Sequence, residues 1–577
     1  MDYEGELSIP AVVRFGALPQ RLFLRPEFDL PTADTYFPDK YLPRFLQIMQ
    51  DDYDNELKYD VARSLERIIL EELAPADDIL PVVRTILDET DDLNVRRACA
   101  MVLLAADSKD DADRLAEICR AGDLQASLLI EPELASWKSD VLQSEWMDRI
   151  KQPQKYPRQL VCLACEGLTE LAAVESAPIL AQLAQQDITR FQVRQAAAAA
   201  TARIDANAAF DVARELANGT LKDRITAVQL LNTASSDDAL IVLSKLCDDS
   251  KGSVAALAWQ TLFRQDPQRL TDRLETGSRH PEANVRHAVV QVAEELPTAE
   301  RCDLLNEVLA DRNLYVRNHA RETLTRLTTA APDLNDRILA NAGDVTAKPD
   351  APWEQLEQAM VLLGVKRHDA YQPNCIELMK HERPEVYVTS AWLLHLMPRP
   401  ELSPPAVQQA KATWERLQNP KLPQPEVESL GLQLGCLFHV AGFCKNNDLR
   451  EICELQFSKG VPTTVDSRAA AMWALGMLAE GSQDSDLQSK FVARIFDDDP
   501  QNPEAFEVRA GSALALGLLG SKSAVADLRT ALGKYGYGSE LSRASATALV
   551  QLGEDRPEFP EVPPVPLGEW PIRFPTR

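Results

Sequence analysis

The chain has 577 residues with 88 Asp+Glu against 61 Lys+Arg, a formal net charge of −27 at pH 7. A 45% hydrophobic, 26% charged mixture is that of a folded chain rather than a wholly disordered one, and so acidic a balance repels nucleic acid, whose binding rests on Lys and Arg. No stretch approaches the roughly 20 apolar residues of a membrane span, and the acidic start MDYEGELSIP lacks the basic-then-apolar order of a secretory leader.

In chain order, residues 1–45 read as an extended arm. Prolines at 10, 19, 26, 31, 38 and 43 interrupt every potential helix, and Val12, Phe15, Leu22 and Phe23 supply apolar anchors. Residues 46–330 carry a repeating pattern of helix pairs. The flank 51–150 holds 25 acidic and 11 basic side chains, a local balance of −14, which reads as a solvated acidic face or as a docking surface for a basic partner. Residues 331–405 are irregular, with an insertion among the repeats, and GDVTAKPDAPWEQ and MPRPELSPP read as linkers. The pattern resumes over 406–553. From Arg556 onward seven prolines alternate with Phe559, Val562, Val565, Leu567, Trp570, Ile572 and Phe574, so 554–577 reads as an extended tail. Trp570 and Phe574 are its expected anchors and the last repeats, 503–553, its expected groove.

The repeat itself is a turn residue, then Val-Arg, then small residues, then Leu. It appears as DDLNVRRACAMVLL at Asp91–Leu104, DITRFQVRQAAAAA at Asp187–Ala200 and PEANVRHAVVQVAEEL at Pro281–Leu296. It returns as DRNLYVRNHARETL at Asp311–Leu324 and NPEAFEVRAGSALALGLL at Asn502–Leu519. With the Val or Ile as marker, positions 193, 225, 254, 285 and 316 step by 32, 29, 31 and 31 residues, the signature of a repeat architecture. Val285, Ala288, Val289, Val292 and Leu296 make one apolar helical stripe, leaving Arg286, His287, Gln291, Glu294 and Glu295 on the polar side. A second amphipathic helix precedes each marker. A lone pair cannot bury its apolar face, so the pairs must stack. The expected fold is all-α, an α-solenoid of antiparallel helix pairs with extended arms at both ends.

These units resemble HEAT repeats, most closely the short bacterial kind known as PBS-lyase HEAT-like repeats, over roughly residues 45–553. The resemblance implies that second helices line a concave face and that a turn Asp and the motif Arg form a ladder between repeats. Carried over, it pairs Asp92 with Arg96, Asp187 with Arg194 and Asp311 with Arg317, and it breaks the ladder at Ile225 and Val254, which no Arg follows. It places Arg286, His287, Arg317, Asn318 and Arg321 on the concave side as candidate partner-binding residues. It implies a binding surface and names no ligand.

All seven histidines lie between His280 and His439, and 353–395 adds Trp353, Tyr371, Tyr387 and Trp392. That stretch is read as ordinary surface or as an aromatic partner-binding patch, aromatics being enriched at interface hot spots. A di-iron centre of the kind found in HEAT-repeat deoxyhypusine hydroxylases needs more ligands than His381–Glu382 and His368–Asp369 supply. Cys162 and Cys165 form a CxxC with no further ligands nearby, so packing rather than zinc is expected. The remaining cysteines lie at apolar helix positions, which suggests a reducing, cytoplasmic setting. GxxxxGK[ST], GxSxG and HExxH are absent from the sequence. No catalytic residue, metal site or cofactor is expected. The function expected is a non-catalytic scaffold holding a protein or peptide partner. The alternative is a HEAT-like enzyme, or a lyase or chaperone acting on a protein-bound cofactor.

Overall fold

The structure is a computed structural model that describes residues 35–36, 41–51, 53–186, 190–534, 539–555 and 565–566. It is 76% helical. The only strands among the described residues are β1 (Thr35–Tyr36) and β2 (Val565–Pro566), which pair in parallel. The described residues fall into two compact units that divide between Arg273 and Leu274, inside the span 46–330.

The first unit contains seven helix pairs and the β1–β2 pair. The pairs are α1 (Tyr41–Gln50) with α2 (Asn55–Leu70), α3 (Ala76–Glu89) with α4 (Leu93–Ala105), and α5 (Ala112–Arg120) with α6 (Leu124–Ser136). They continue as α7 (Gln143–Lys151) with α8 (Arg158–Glu170), α9 (Ala177–Gln185) with α10 (Phe191–Ile204), α11 (Ala206–Leu216) with α12 (Leu221–Leu230), and α13 (Asp237–Leu246) with α14 (Gly252–Gln265). The second unit contains eight. They are α15 (Leu274–Ser278) with α16 (Ala283–Glu295), α17 (Ala299–Val308) with α18 (Leu314–Ala330), α19 (Pro332–Thr346) with α20 (Trp353–Val365), and α21 (Gln372–Leu378) with α22 (Pro384–Leu396). Then come α23 (Ser403–Leu417) with α24 (Gln424–Phe443), α25 (Arg450–Leu455) with α26 (Val465–Leu478), α27 (Ser485–Ile495) with α28 (Phe506–Leu519), and α29 (Val525–Lys534) with α30 (Glu540–Gln551). Within each unit the second helices stack in a continuous layer. The fold is an all-α solenoid.

The second helices of the regular region start at 191, 221, 252, 283 and 314, steps of 30, 31, 31 and 31. Later starts at 353, 384, 424, 465 and 506 widen the step to as much as 41. The stretch between Val316 and Val386 holds the complete pair α19–α20 and then α21, the first helix of the next pair, and the GDVT of the first supposed linker lies inside α19. The second helices are packed on more than the one stripe that the periodicity shows. In α16, Val290 and Ala293 are as buried as Val285, Ala288, Val289 and Val292, because the helix meets its own partner and a neighbouring second helix at once.

That double burial explains the small residues of the last repeats. A Cβ built on Gly476 of α26 would lie 2.6 Å from the Ala515 Cα of α28, and one on Gly517 would lie 2.7 Å from the Ala548 Cα of α30. The close approach is therefore between successive second helices. Gly476→Leu forces those backbones apart. It should destabilise α26–α28 by about 1–3 kcal/mol, read as a fall in melting temperature and faster amide exchange in both helices.

Turn acids start the helices. The Asp54, Asp92 and Asp123 side chains accept from free backbone N–H groups of α2, α4 and α6, which offsets the unpaired donors of a helix start. The Arg ladder is present in shifted form. Its usual member is the fourth residue of a second helix, and its acid lies about one repeat further on. Arg194 meets Asp223 at 2.6 Å, Arg224 meets Asp249 at 2.6 Å, and Arg286 grips Asp311 at 2.6 and 2.9 Å. Arg468 holds Glu504 through two contacts of 2.8 Å.

Three expectations change accordingly. Asp92 caps α4 and accepts from Asn55 at 3.3 Å, while Arg97 rather than Arg96 makes the rung, to Asp123. Arg317 donates to the Asp311 backbone carbonyl at 3.2 Å, because Arg286 already occupies the Asp311 carboxylate. The repeat at Ile225 keeps its rung, since Arg224 is the fourth residue of α12 and the Ile marker is two positions late. Asp187 lies outside the described residues, as do the anchors Val12, Phe15, Leu22, Phe23, Trp570 and Phe574. Of the tail, Val565–Pro566 pairs with Thr35–Tyr36 rather than with the 503–553 repeats.

Candidate partner-binding surface

Four successive second helices of the second unit, α16, α18, α20 and α22, carry most of the candidate residues. Arg286 is 6% exposed, and its donors go to Asp311 and to the His280 and Pro281 carbonyls. It serves as a rung. One residue on, the His287 ring stacks on Tyr315 of α18 with centroids 4.6 Å apart and lies 4.7 Å from His319. Burial and the neighbouring His319 hold His287 down at about 4, so it is neutral at physiological pH. His319 in turn meets Glu294 at 3.2 Å. Tyr315, at 66% exposure, and Leu314, at 41%, stand at the start of α18 beside this stack.

Arg321 faces α20. Arg321 donates to Gln358 at 3.0 Å, and Gln358 donates to Glu357 at 3.0 Å. At α20 and α22 the fourth helical residues are Leu356 and Tyr387, so the ladder lapses. Trp353, the first residue of α20, takes its place: the Arg317 guanidinium lies 5.3 Å and the Arg383 guanidinium 4.5 Å from its ring centre, within cation–π range. Arg383 also meets Glu385 at 3.0 Å. Burial pushes Glu357 up to about 7, against the pull of Gln358, Arg317 and Arg321 and with the help of Glu385. The Asn318 Oδ1, Glu385 Oε2 and Thr389 hydroxyl are buried without a hydrogen-bond partner in this seam.

The 353–395 aromatics do not gather on one face. Trp353 is half-buried in the cationic stack. The Tyr371 ring lies across Gly343 of α19, where an added Cβ would be 2.2 Å from its Cζ. Tyr387 is 4% exposed and donates to Ser429 at 2.6 Å. Trp392 is 2% exposed and packs on Gly364 of α20. The accessible aromatic at this surface is instead Tyr315, which with Leu314 occupies the two positions before the Val-Arg marker. The marker identified the repeat, and the exposed pair ahead of it was the available signal.

Elsewhere, the first unit has a groove on α6, α8 and α10 lined by Ser136, Glu166, Thr169, Ala199, Ala200 and Arg203, and burial raises Glu166. Eight of the ten cysteines are buried, and burial pushes Cys99 up to about 12, so these are packing thiols, not nucleophiles. Among the described residues no group of three or more His, Cys, Asp or Glu converges as a metal site, and no helix is long and apolar enough to cross a membrane.

No protein-family model matches the chain, and no curated protein matches it in sequence. Solved structures resemble it in fold. The karyopherin Kap121p bound to the extreme C-terminus of the protein phosphatase Cdc14p superposes with a TM-score of 0.51 at 11% identity, over 90% of this chain and 57% of that one. Kap95p in complex with RanGDP gives 0.47 at 14% identity, over 89% and 72%. Yeast importin-beta (Kap95p) gives 0.44 at 13% identity, over 89% and 73%. The likeness to Kap121p shows the fold, a HEAT-repeat α-solenoid.

Proposed function

We propose that the protein is a non-catalytic scaffold that holds a protein or peptide partner along its second helices. The observation that carries this reading is the exposed Leu314–Tyr315 pair, backed by the His287–Tyr315 stack and flanked by the stack of Arg317, on the same helix, with Trp353 of α20 and Arg383 at the start of α22. Large aromatics and arginines held in place by their neighbours lose little entropy on binding and dominate interface energetics. His287, Asn318, Arg321 and Trp353 belong to this surface, and Arg317, 7% exposed, holds Trp353 from beneath. Tyr371, Tyr387 and Trp392 support it from behind, and Arg286 fixes its register. The partner is a protein rather than a nucleic acid, in keeping with the −27 balance, and the buried free thiols agree with a reducing cytoplasm. Kap121p and Kap95p are bound to other proteins in their structures, which accords with this use of the fold.

The groove beside Glu166 supports one second reading, a lyase or chaperone acting on a protein-bound cofactor, since that chemistry needs a cavity with a carboxylate. Affinity purification from the native host separates the two. Tyr315→Ala with Trp353→Ala should remove the recovered partner, lowering affinity at least tenfold, with the helical content unchanged. If Glu166→Gln removes it and the double variant does not, the second reading stands.

A further inference from the structure

The second helices of the first unit run parallel, so their first turns line one edge. On that edge the first residue of the helix is repeatedly large and apolar: Leu93 at 53% exposure, Phe191 at 36% and Leu221 at 41%, with Leu124 half-buried. Asn55 at α2, Arg158 at α8 and Gly252 at α14 interrupt the row, and at α2 the exposed Tyr59, one turn further along the helix, supplies the large side chain. The first turns of α2, α4 and α6 are tied together, since Asn55 reaches Asp92 at 3.3 Å and Arg97 reaches Asp123 at 2.6 Å. Between α2 and α4 lies a groove lined by Asn55, Glu56, Tyr59, Asp92 and Asn94. Tyr59 is 38% exposed there, and Glu56 and Asp91 are exposed on either side.

Spacing and charge define what fits. Packed helices lie about 8–10 Å apart. A polyproline II segment repeats a side-chain direction every three residues, or about 9 Å, whereas a β-strand repeats about every 6–7 Å. The row therefore matches apolar residues at every third position of a polyproline II chain, with the positions between them facing the acidic flank of local charge −14.

We infer that the edge formed by the first turns of α2, α4 and α6 docks a proline-containing, basic segment of a partner protein. Its apolar residues sit against Tyr59, Leu93 and Leu124, and its Lys or Arg residues face Glu56 and Asp91. This rests on the scaffold reading above and adds a second contact surface, with a stated partner chemistry, on the other unit.

The test is fluorescence anisotropy on the full chain with a labelled synthetic peptide of repeated Pro-Leu-Arg triplets. Binding should be micromolar at low salt and weaken as salt rises. Leu93→Asp with Tyr59→Ala, both at exposed positions and checked by an unchanged melting temperature, should weaken it at least tenfold. A Gly-Leu-Arg peptide of equal charge should bind several-fold more weakly, because it lacks the pre-set backbone. Tyr315→Ala should leave the peptide's affinity unchanged, which separates this edge from the surface of the second unit. The proposal is overturned if the Leu93/Tyr59 variant binds like the parent, or if the glycine peptide binds equally well, which would show charge attraction alone. It is overturned too if binding appears only after residues 556–577 are deleted, which would make the chain's own tail the occupant.

Discussion

Arg468→Met is expected to destabilise the α26–α28 region by about 3–5 kcal/mol, the loss seen when one partner of a buried ion pair is removed. Arg468 is 6% exposed and Glu504 4%, and the guanidinium meets both carboxylate oxygens at 2.8 Å while its Nε donates to the Gln456 carbonyl at 3.1 Å. Burial pushes Glu504 upward, and hydrogen bonding and charge from Arg468, with help from Ala505 N–H and Arg494, hold it below its ordinary value. Without Arg468 the carboxylate is left desolvated, with Arg494 and the Ala505 N–H, each at 3.0 Å, as its remaining partners. In a stacked-repeat fold the damage is local before it is global. Amide exchange in α26 and α28 should accelerate ahead of α16–α20, and the lowest melting transition should fall. A double change, Arg468→Met with Glu504→Leu, should recover much of the loss, because an apolar pair of similar volume avoids the desolvation penalty.

Glu357→Gln is expected to act in the opposite sense and to depend on pH. A glutamate that titrates at 4.5 when unfolded and at about 7 here binds its proton more tightly in the folded chain. Stability from this group is therefore full below about pH 4.5 and declines as pH rises to 7. At roughly 1.4 kcal/mol per pH unit the whole decline is about 3 kcal/mol. Glutamine resembles the protonated form and carries no such dependence. The variant should match the parent near pH 4.5 and exceed it by up to about 3 kcal/mol at pH 8, measured as a melting-temperature difference that grows with pH. The charges facing the group are Arg317 and Arg321 from α18 and Glu385 from α22, so Arg321→Gln should enlarge the difference.

The repeat was legible because its signal is local. A Val-Arg step with small residues after it recurs at the pitch of one helix pair, and second-helix starts from 191 to 314 keep that pitch. The ladder was legible in kind and not in pairing. Which acid an arginine reaches depends on the distance between adjacent helix pairs, and no spacing within one repeat encodes that distance. Arg224 shows the limit most plainly: a marker two residues out of phase hid a rung that the fold retains. The candidate surface was read from residue type, and burial then sorted it. Tyr387 and Trp392 point into the stack because a second helix is covered on two sides, whereas Tyr315, ahead of the marker, stays outside. The β1–β2 pairing joins residues 35–36 to 565–566, a separation that no local pattern reveals.

Site-specific photo-crosslinking most directly tests the claim that the second-helix surface of α16–α22 is where a partner protein binds. A photoreactive residue placed at Tyr315, with the same residue at the exposed first-helix position Asp333 as control, would be irradiated in cells of the native host. A discrete adduct at position 315, absent at 333 and lost on Trp353→Ala, is the predicted result. Equal or absent adducts at the two positions, alongside a partner that still co-purifies with the intact chain, would contradict it.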